Sequence, residues 1–231
     1  MLSDIQTSRT RPPATLPAAV LWDMDGTLVD TEPYWIQAEF EIVAEHGGQW
    51  SDELAHQLVG NPLLVSAEFI LAHSPVTLSA PELVEALLER VVARVTEKIP
   101  WRPGARELLT ELGTLGVPSA LVTMSWTSLA YAVTSALPEG TFDVVVTGDA
   151  VTHGKPHPEP YLTACAELDA RPGECVAIED SATGVRSAVA AGVPTIAVPH
   201  VVAVPPIAGA VALDGLAGVR AADLARLVAA L

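Results

Sequence analysis

The chain has 231 residues, half of them hydrophobic, and a formal net charge of −16. That length and apolar content allow one large domain or a core with an insert. The charge counts against nucleic acid as a partner, because phosphate neutralisation needs Lys/Arg clusters that this sequence lacks.

Residues 1–17 hold Ser, Thr, Arg and Pro without an apolar run, and read as a loose tail rather than a secretory signal. The next segment, 18–22, is apolar and predicts a buried strand. Asp23-Met24-Asp25-Gly26-Thr27-Leu28-Val29-Asp30 follows it directly. In extended chain, positions i and i+2 point the same way, so Asp23 and Asp25 crowd each other unless a cation or a shared proton relieves them. That crowding suits a metal-assisted nucleophile with an acid/base partner. Gly26 allows a sharp turn, and Thr27 adds a hydroxyl to it.

From about residue 34 to 100 only helical signals occur. Glu32-Pro33 opens a helix that fails at Gly47-Gly48. Ser51-Asp52-Glu53 reads as an N-cap with an acidic first turn. Gly60-Asn61-Pro62 is a turn. Ser79-Ala80-Pro81-Glu82 is a capping box that opens a long helix to about Lys98. Residues 33–100 are therefore expected to form a helical cap inserted after the first strand. Its connections, near 31–33 and 99–103, would let it open and close over a site. Arg90 and Arg94, with Glu89 and Glu97 nearby, read as a solvated charged face.

Strand and helix alternate thereafter. Residues 119–122, 142–146, 175–178 and 195–198 predict buried strands, and 105–115, 160–168 and 185–191 predict helices. This alternation implies a parallel sheet of right-handed βαβ units. The expected fold is α/β: a Rossmann-like three-layer core of residues 18–32 and 101–231, plus the cap. Residues 193–213 are apolar, but Pro194, Pro199, Pro205 and Pro206 would break a spanning helix. A strand followed by loop fits better. The two cysteines, Cys165 and Cys175, read as small buried hydrophobes in a reducing compartment. No membrane partner is expected, and the reading is soluble and cytoplasmic.

Three more segments place polar residues where a predicted strand ends or soon after. Leu121-Val122-Thr123-Met124-Ser125 ends in hydroxyls and turn N–H groups that can hold phosphate oxygens. Gly154-Lys155-Pro156-His157-Pro158 fixes a rare lysine where it can neutralise a phosphoryl charge. Ile178-Glu179-Asp180-Ser181 offers hard oxygen ligands that could complete a Mg²⁺ site begun by Asp23; helix N-capping is the alternative use of Asp180-Ser181. In an open parallel sheet, strand C-terminal ends line the binding crevice.

In this order and spacing, the four motifs resemble the haloacid dehalogenase superfamily, in its branch of phosphatases and phosphomutases with a helical cap. The resemblance implies that Asp23 is the nucleophile that forms an aspartyl-phosphate and Asp25 the general acid/base. It implies that Thr123 binds the phosphoryl group, helped by the backbone of Met124 and Ser125, and that Lys155 steadies nucleophile and phosphate. It implies Mg²⁺ held by Asp23, Asp180 and the Asp25 carbonyl, with Glu179 ligating directly or through water. Trp35, Gly60 and Asn61 are candidate substrate contacts from the cap; Trp35 packing inside the helical module is the alternative.

Asp25 argues against a dehalogenase, whose leaving halide needs no proton. The cap region holds Arg90 and Arg94 but lacks the Schiff-base lysine of a phosphonate hydrolase, with Lys98 only at its exit. The expected activity is hydrolysis of a small phosphorylated metabolite, a sugar or polyol phosphate. The alternative is a β-phosphoglucomutase-type enzyme, which Asp30-Thr31-Glu32-Pro33-Tyr34 resembles. That type places His where this chain has Trp35, and a cation soon after the glycine of Gly60-Asn61-Pro62-Leu63. A non-catalytic binding protein is a third reading; it is disfavoured because Asp23, Asp25, Thr123, Lys155 and Asp180 are all present.

Overall fold

The computed structural model describes residues 16–231. The expected tail, 1–17, lies outside the described residues except for its last two positions. Among the described residues, six strands form one sheet: β1 (Val20–Trp22), β2 (Ser119–Val122), β3 (Val144–Val146), β4 (Val176–Glu179), β5 (Thr195–Ala197) and β6 (Ala210–Ala212). Their order is β3-β2-β1-β4-β5-β6, and every pair is parallel. The five expected strands are present. The loop expected after β5 contains a sixth, β6; its first two residues are half-exposed, the third is exposed and Pro205-Pro206 precede it, so no buried run announces it.

Strand alternation sorts side chains into two buried clusters, one per face. Val20, Trp22, Leu121 and Ile178 face one side with α5 (Ala105–Thr114), α6 (Thr127–Thr134) and α9 (Ala221–Val228). Ala19, Leu21, Val122 and Ala177 face the other, with α7 (Glu159–Glu167) and α8 (Ala182–Ala190). β1, β2 and β4 are buried throughout, as strands covered on both faces must be. The result is a three-layer α/β/α, Rossmann-like architecture.

Between β1 and β2, before α5, lie α1 (Glu32–Glu45), α2 (Asp52–His56), α3 (Leu63–His73) and α4 (Ala80–Glu97). Ser51 caps α2 through the Leu54 N–H. At α4, Glu82 N donates to Ser79 Oγ while Ser79 N donates to Glu82 Oε2, closing the expected capping box. Leu83, Leu87 and Val91 make a buried stripe along α4, which packs on α1, α3 and the core helix α6. Truncating Leu87 to Ala would cost about 2–5 kcal/mol.

Arg90 and Arg94 depart from the expected solvated face. Arg94 Nη2 donates to both Glu41 oxygens at 2.6 Å, and Arg90 Nη2 to Glu45 at 2.6 Å, so their partners lie on α1 rather than on their own helix. A helix–helix partner 45 or more residues away leaves no local spacing to read. The two connections of the helical segment pair with each other: Asp30 N donates to Pro100 O and Arg102 N to Leu28 O. No helix among the described residues is long and apolar enough to cross a membrane.

Candidate active site

Sheet order builds the site. β1 lies between β2 and β4, and Trp22 is in register with Leu121 on one side and Ile178 on the other. Asp23, Thr123 and Asp180 therefore leave the sheet at nearly one level, where the chain turns to opposite sides of β1. Gly26, at φ +86°, turns the first loop back; a Cβ there would lie 2.0 Å from Asp180 Oδ2, so only glycine lets the two loops meet.

Lys155 is buried among anions. Its Nζ donates to Asp23 Oδ1 at 2.7 Å, Val122 O at 2.8 Å and Glu179 Oε1 at 2.6 Å, using all three donors. Burial works against the ammonium, but Asp23 and then Glu179 hold it well above the usual lysine range. Glu179 Oε1 also accepts the Tyr161 hydroxyl at 2.7 Å, and Oε2 the Ser181 hydroxyl at 3.3 Å.

Asp25 is held by hydroxyls. Thr31 donates to Oδ1 in a short bond; Ser125 Oγ at 2.7 Å and Thr123 Oγ1 at 3.4 Å donate to Oδ2. Burial raises its pKa most, the Thr31 and Ser125 bonds lower it, and Asp23 raises it again; the net direction is up.

Oxygens of Asp23, Glu179 and Asp180 lie within 4.8 Å of one another. Asp23 Oδ2 is buried without a hydrogen-bond partner. Asp180 is pushed up to about 9, by burial first and then by Asp23 and Glu179. An orphaned carboxylate oxygen beside two more carboxylates is a hard donor set that fits a divalent cation. Ser181 does cap α8, through Gly184 N, which leaves Asp180 to the site.

These residues floor a cavity of about 310 Å³. All the sequence-predicted site residues line it except Glu179, which stands behind Lys155. Trp35, Gly60 and Asn61 line it from the helical segment, and Trp35 also packs partly against the core cluster. Ser125, expected to help through its backbone, also uses its side-chain hydroxyl on Asp25. No sequence signal gives a role to Thr31, Tyr161, Glu32 or His200; the first two bond to Asp25 and Glu179, and the last two line the cavity. His153 and His157 lie outside it, exposed beside Glu159.

A profile of the haloacid dehalogenase-like hydrolases matches residues 20–198. Hexitol phosphatase B of Escherichia coli (strain K12) is 32% identical over 185 residues, covering 78% of this chain and 83% of that protein. Hexitol phosphatase A of the same organism is 36% identical over 178 residues, covering 77% and 81%. The crystal structure of CbbY from Rhodobacter sphaeroides in complex with phosphate superposes with a TM-score of 0.80 at 32% identity, covering 88% of this chain and 96% of that one. With the motifs, the sheet order and these likenesses together, the chain belongs to the haloacid dehalogenase-like hydrolase family.

Proposed function

We propose that the chain is a Mg²⁺-dependent phosphomonoester hydrolase of a small phosphorylated metabolite, a sugar or polyol phosphate, working through an aspartyl-phosphate. The observation that carries this reading is the pair Asp23 and Asp25 on one cavity floor: a carboxylate with one oxygen free of hydrogen bonds, and a second carboxyl gripped by the hydroxyls of Thr31 and Ser125. The likeness to two hexitol phosphatases supports the substrate class.

In this reading a carboxylate oxygen of Asp23 attacks phosphorus and the ester P–O bond breaks. Asp25 gives its proton to the departing oxygen. Water then attacks the phospho-Asp23, with Asp25 taking a water proton, and inorganic phosphate leaves. The Thr123 hydroxyl and the backbone N–H groups of Met124 and Ser125 hold phosphoryl oxygens, while Lys155 offsets their charge. Held by Asp23, Asp180 and the Asp25 carbonyl, Mg²⁺ would reduce the repulsion between carboxylate and phosphate. Glu179 serves by fixing Lys155, and residues 33–100 act as a cap over the core of 18–32 and 101–231. Two buried free thiols support a reducing, cytoplasmic setting.

The test is phosphate release from a panel of phosphomonoesters with Mg²⁺, with Asp23→Asn as control. Release lost in that variant supports the proposal. Conversion of β-glucose 1-phosphate to glucose 6-phosphate without net release would replace it with the mutase reading.

A further inference from the structure

The floor of the cavity addresses a phosphoryl group; its walls address what leaves. Resting on the phosphatase reading and narrowing its sugar-or-polyol class to the cyclic members, we infer that the leaving group is a cyclic alcohol with an apolar face and no second negative charge.

Charge comes first. Asp23, Asp25, Glu32 and Asp180 line the cavity, and its basic lining residues are Lys155 and His200. Lys155 spends its three donors on Asp23, Val122 and Glu179. His200 Nδ1 faces Arg102 Nη1 at 2.7 Å, and its Nε2 lies beside Asp30, 3.0 Å from an Oδ1 that makes no hydrogen bond, so its nearest charged neighbours are Arg102 and Asp30. Arg90 and Arg94 are engaged with Glu45 and Glu41 on α1. No lysine or arginine of the lining is left to pair with a second phosphate or a carboxylate.

Shape and polarity come second. Trp35, Val59, Pro62 and Leu63 reach the cavity from the helical segment; Val201 and Val202 reach it from the loop after β5. The two valines are 43% and 57% exposed, open at the mouth rather than packed below it. Apolar groups on both lips gain by covering an apolar surface. A ring offers such a face, to the Trp35 indole among others. An acyclic polyol carries a hydroxyl on every carbon and offers none.

The experiment compares kcat/KM for phenyl phosphate, glucose 6-phosphate, sorbitol 6-phosphate, phosphoglycolate and fructose 1,6-bisphosphate, in the parent and in Asn61→Arg. Asn61 is exposed on the cap loop, so the arginine adds a cation to the lining without disturbing the core. The two cyclic monophosphates should exceed phosphoglycolate and the bisphosphate by at least about tenfold, and sorbitol 6-phosphate by a smaller factor, within the range one apolar contact gives. Asn61→Arg should narrow the gap to the bisphosphate. A doubly anionic substrate, or sorbitol 6-phosphate, turned over as well as the cyclic ones would overturn the inference and leave the phosphatase reading standing. No turnover of any compound would overturn the phosphatase reading, and the inference with it.

Discussion

Glu179 Oε1 lies 2.6 Å from Lys155 Nζ, and both side chains are almost wholly removed from solvent. A buried ion pair is costly to half-remove, because the remaining charge loses its partner and has no water to replace it. Lys155→Met would take the ammonium from Asp23 Oδ1 and Val122 O and leave Glu179 Oε1 with the Tyr161 hydroxyl alone. It should cost about 3–5 kcal/mol of stability in urea denaturation without added metal. Glu179→Gln keeps an acceptor for Tyr161 and should cost less. In a double-mutant cycle the two losses should not add, with a coupling of at least about 1 kcal/mol; additive losses would show that the pair does not act as a unit.

The raised Asp180 carboxyl makes metal binding a proton-linked event. At about 9, it holds its proton at pH 7.5 in the metal-free protein, since burial and its neighbours Asp23 and Glu179 disfavour another charge. A cation binding there must displace that proton. Mg²⁺ titrated calorimetrically at pH 7.5, in buffers of different ionisation enthalpy, should release about one proton. The release should fade above about pH 10. Saturation at 100 times Kd should add about 2.7 kcal/mol of stability, removed by chelation. No proton release would remove Asp180 from the ligand set.

Asp23, Thr123 and Asp180 are legible in the sequence because each ends an apolar run, and a parallel sheet brings such ends together. Thr31 and Tyr161 are not. Their hydroxyls are surplus polarity until the fold sets them against Asp25 and Glu179. Glu179 reads as a ligand from its place beside Asp180, and its carboxylate does lie within 4.8 Å of Asp23 and Asp180; that Lys155 and Tyr161 also hold it is not legible. β6 escapes notice because its Ala-Val-Ala is not buried and sits in the same proline-containing apolar stretch as the loop, and Val201 and Val202 because a proline-rich loop gives no sign of facing a cavity.

The same geometry makes Gly184 a sensitive position. A Cβ on Gly184 would lie 1.9 Å from Glu179 Oε1, and that carboxylate is pinned by Lys155 and Tyr161. Alanine in α8 gains about 1 kcal/mol of helix propensity. Overpacking against a fixed buried group costs about 1–3 kcal/mol, and here the group cannot step aside. Gly184→Ala should therefore lower the melting temperature and cut kcat at least about tenfold as Lys155 shifts. A variant more stable than the parent, with unchanged kcat, would mean that Glu179 has room to move.

Inside the helical segment, Trp50 Nε1 donates to Glu39 Oε2 at 3.0 Å, and both residues are buried. Burial pushes the Glu39 carboxyl from 4.5 to about 7; the Trp50 bond pulls it down, and Glu32 adds a smaller push upward. The folded chain thus binds more protons than the unfolded chain between those values. Stability from this group is complete below about pH 4.5 and is lost as pH rises through about 7. The loss totals about 3 kcal/mol, since a proton held across each pH step between the two values contributes about 1.4 kcal/mol. Glu39→Gln keeps an oxygen for Trp50 and removes the titration. Urea denaturation should find it close to the parent at pH 5 and more stable by up to about 3 kcal/mol at pH 8. An equal difference at both pH values would return Glu39 to the ordinary carboxylate range and leave Trp50 as a plain hydrogen-bond donor.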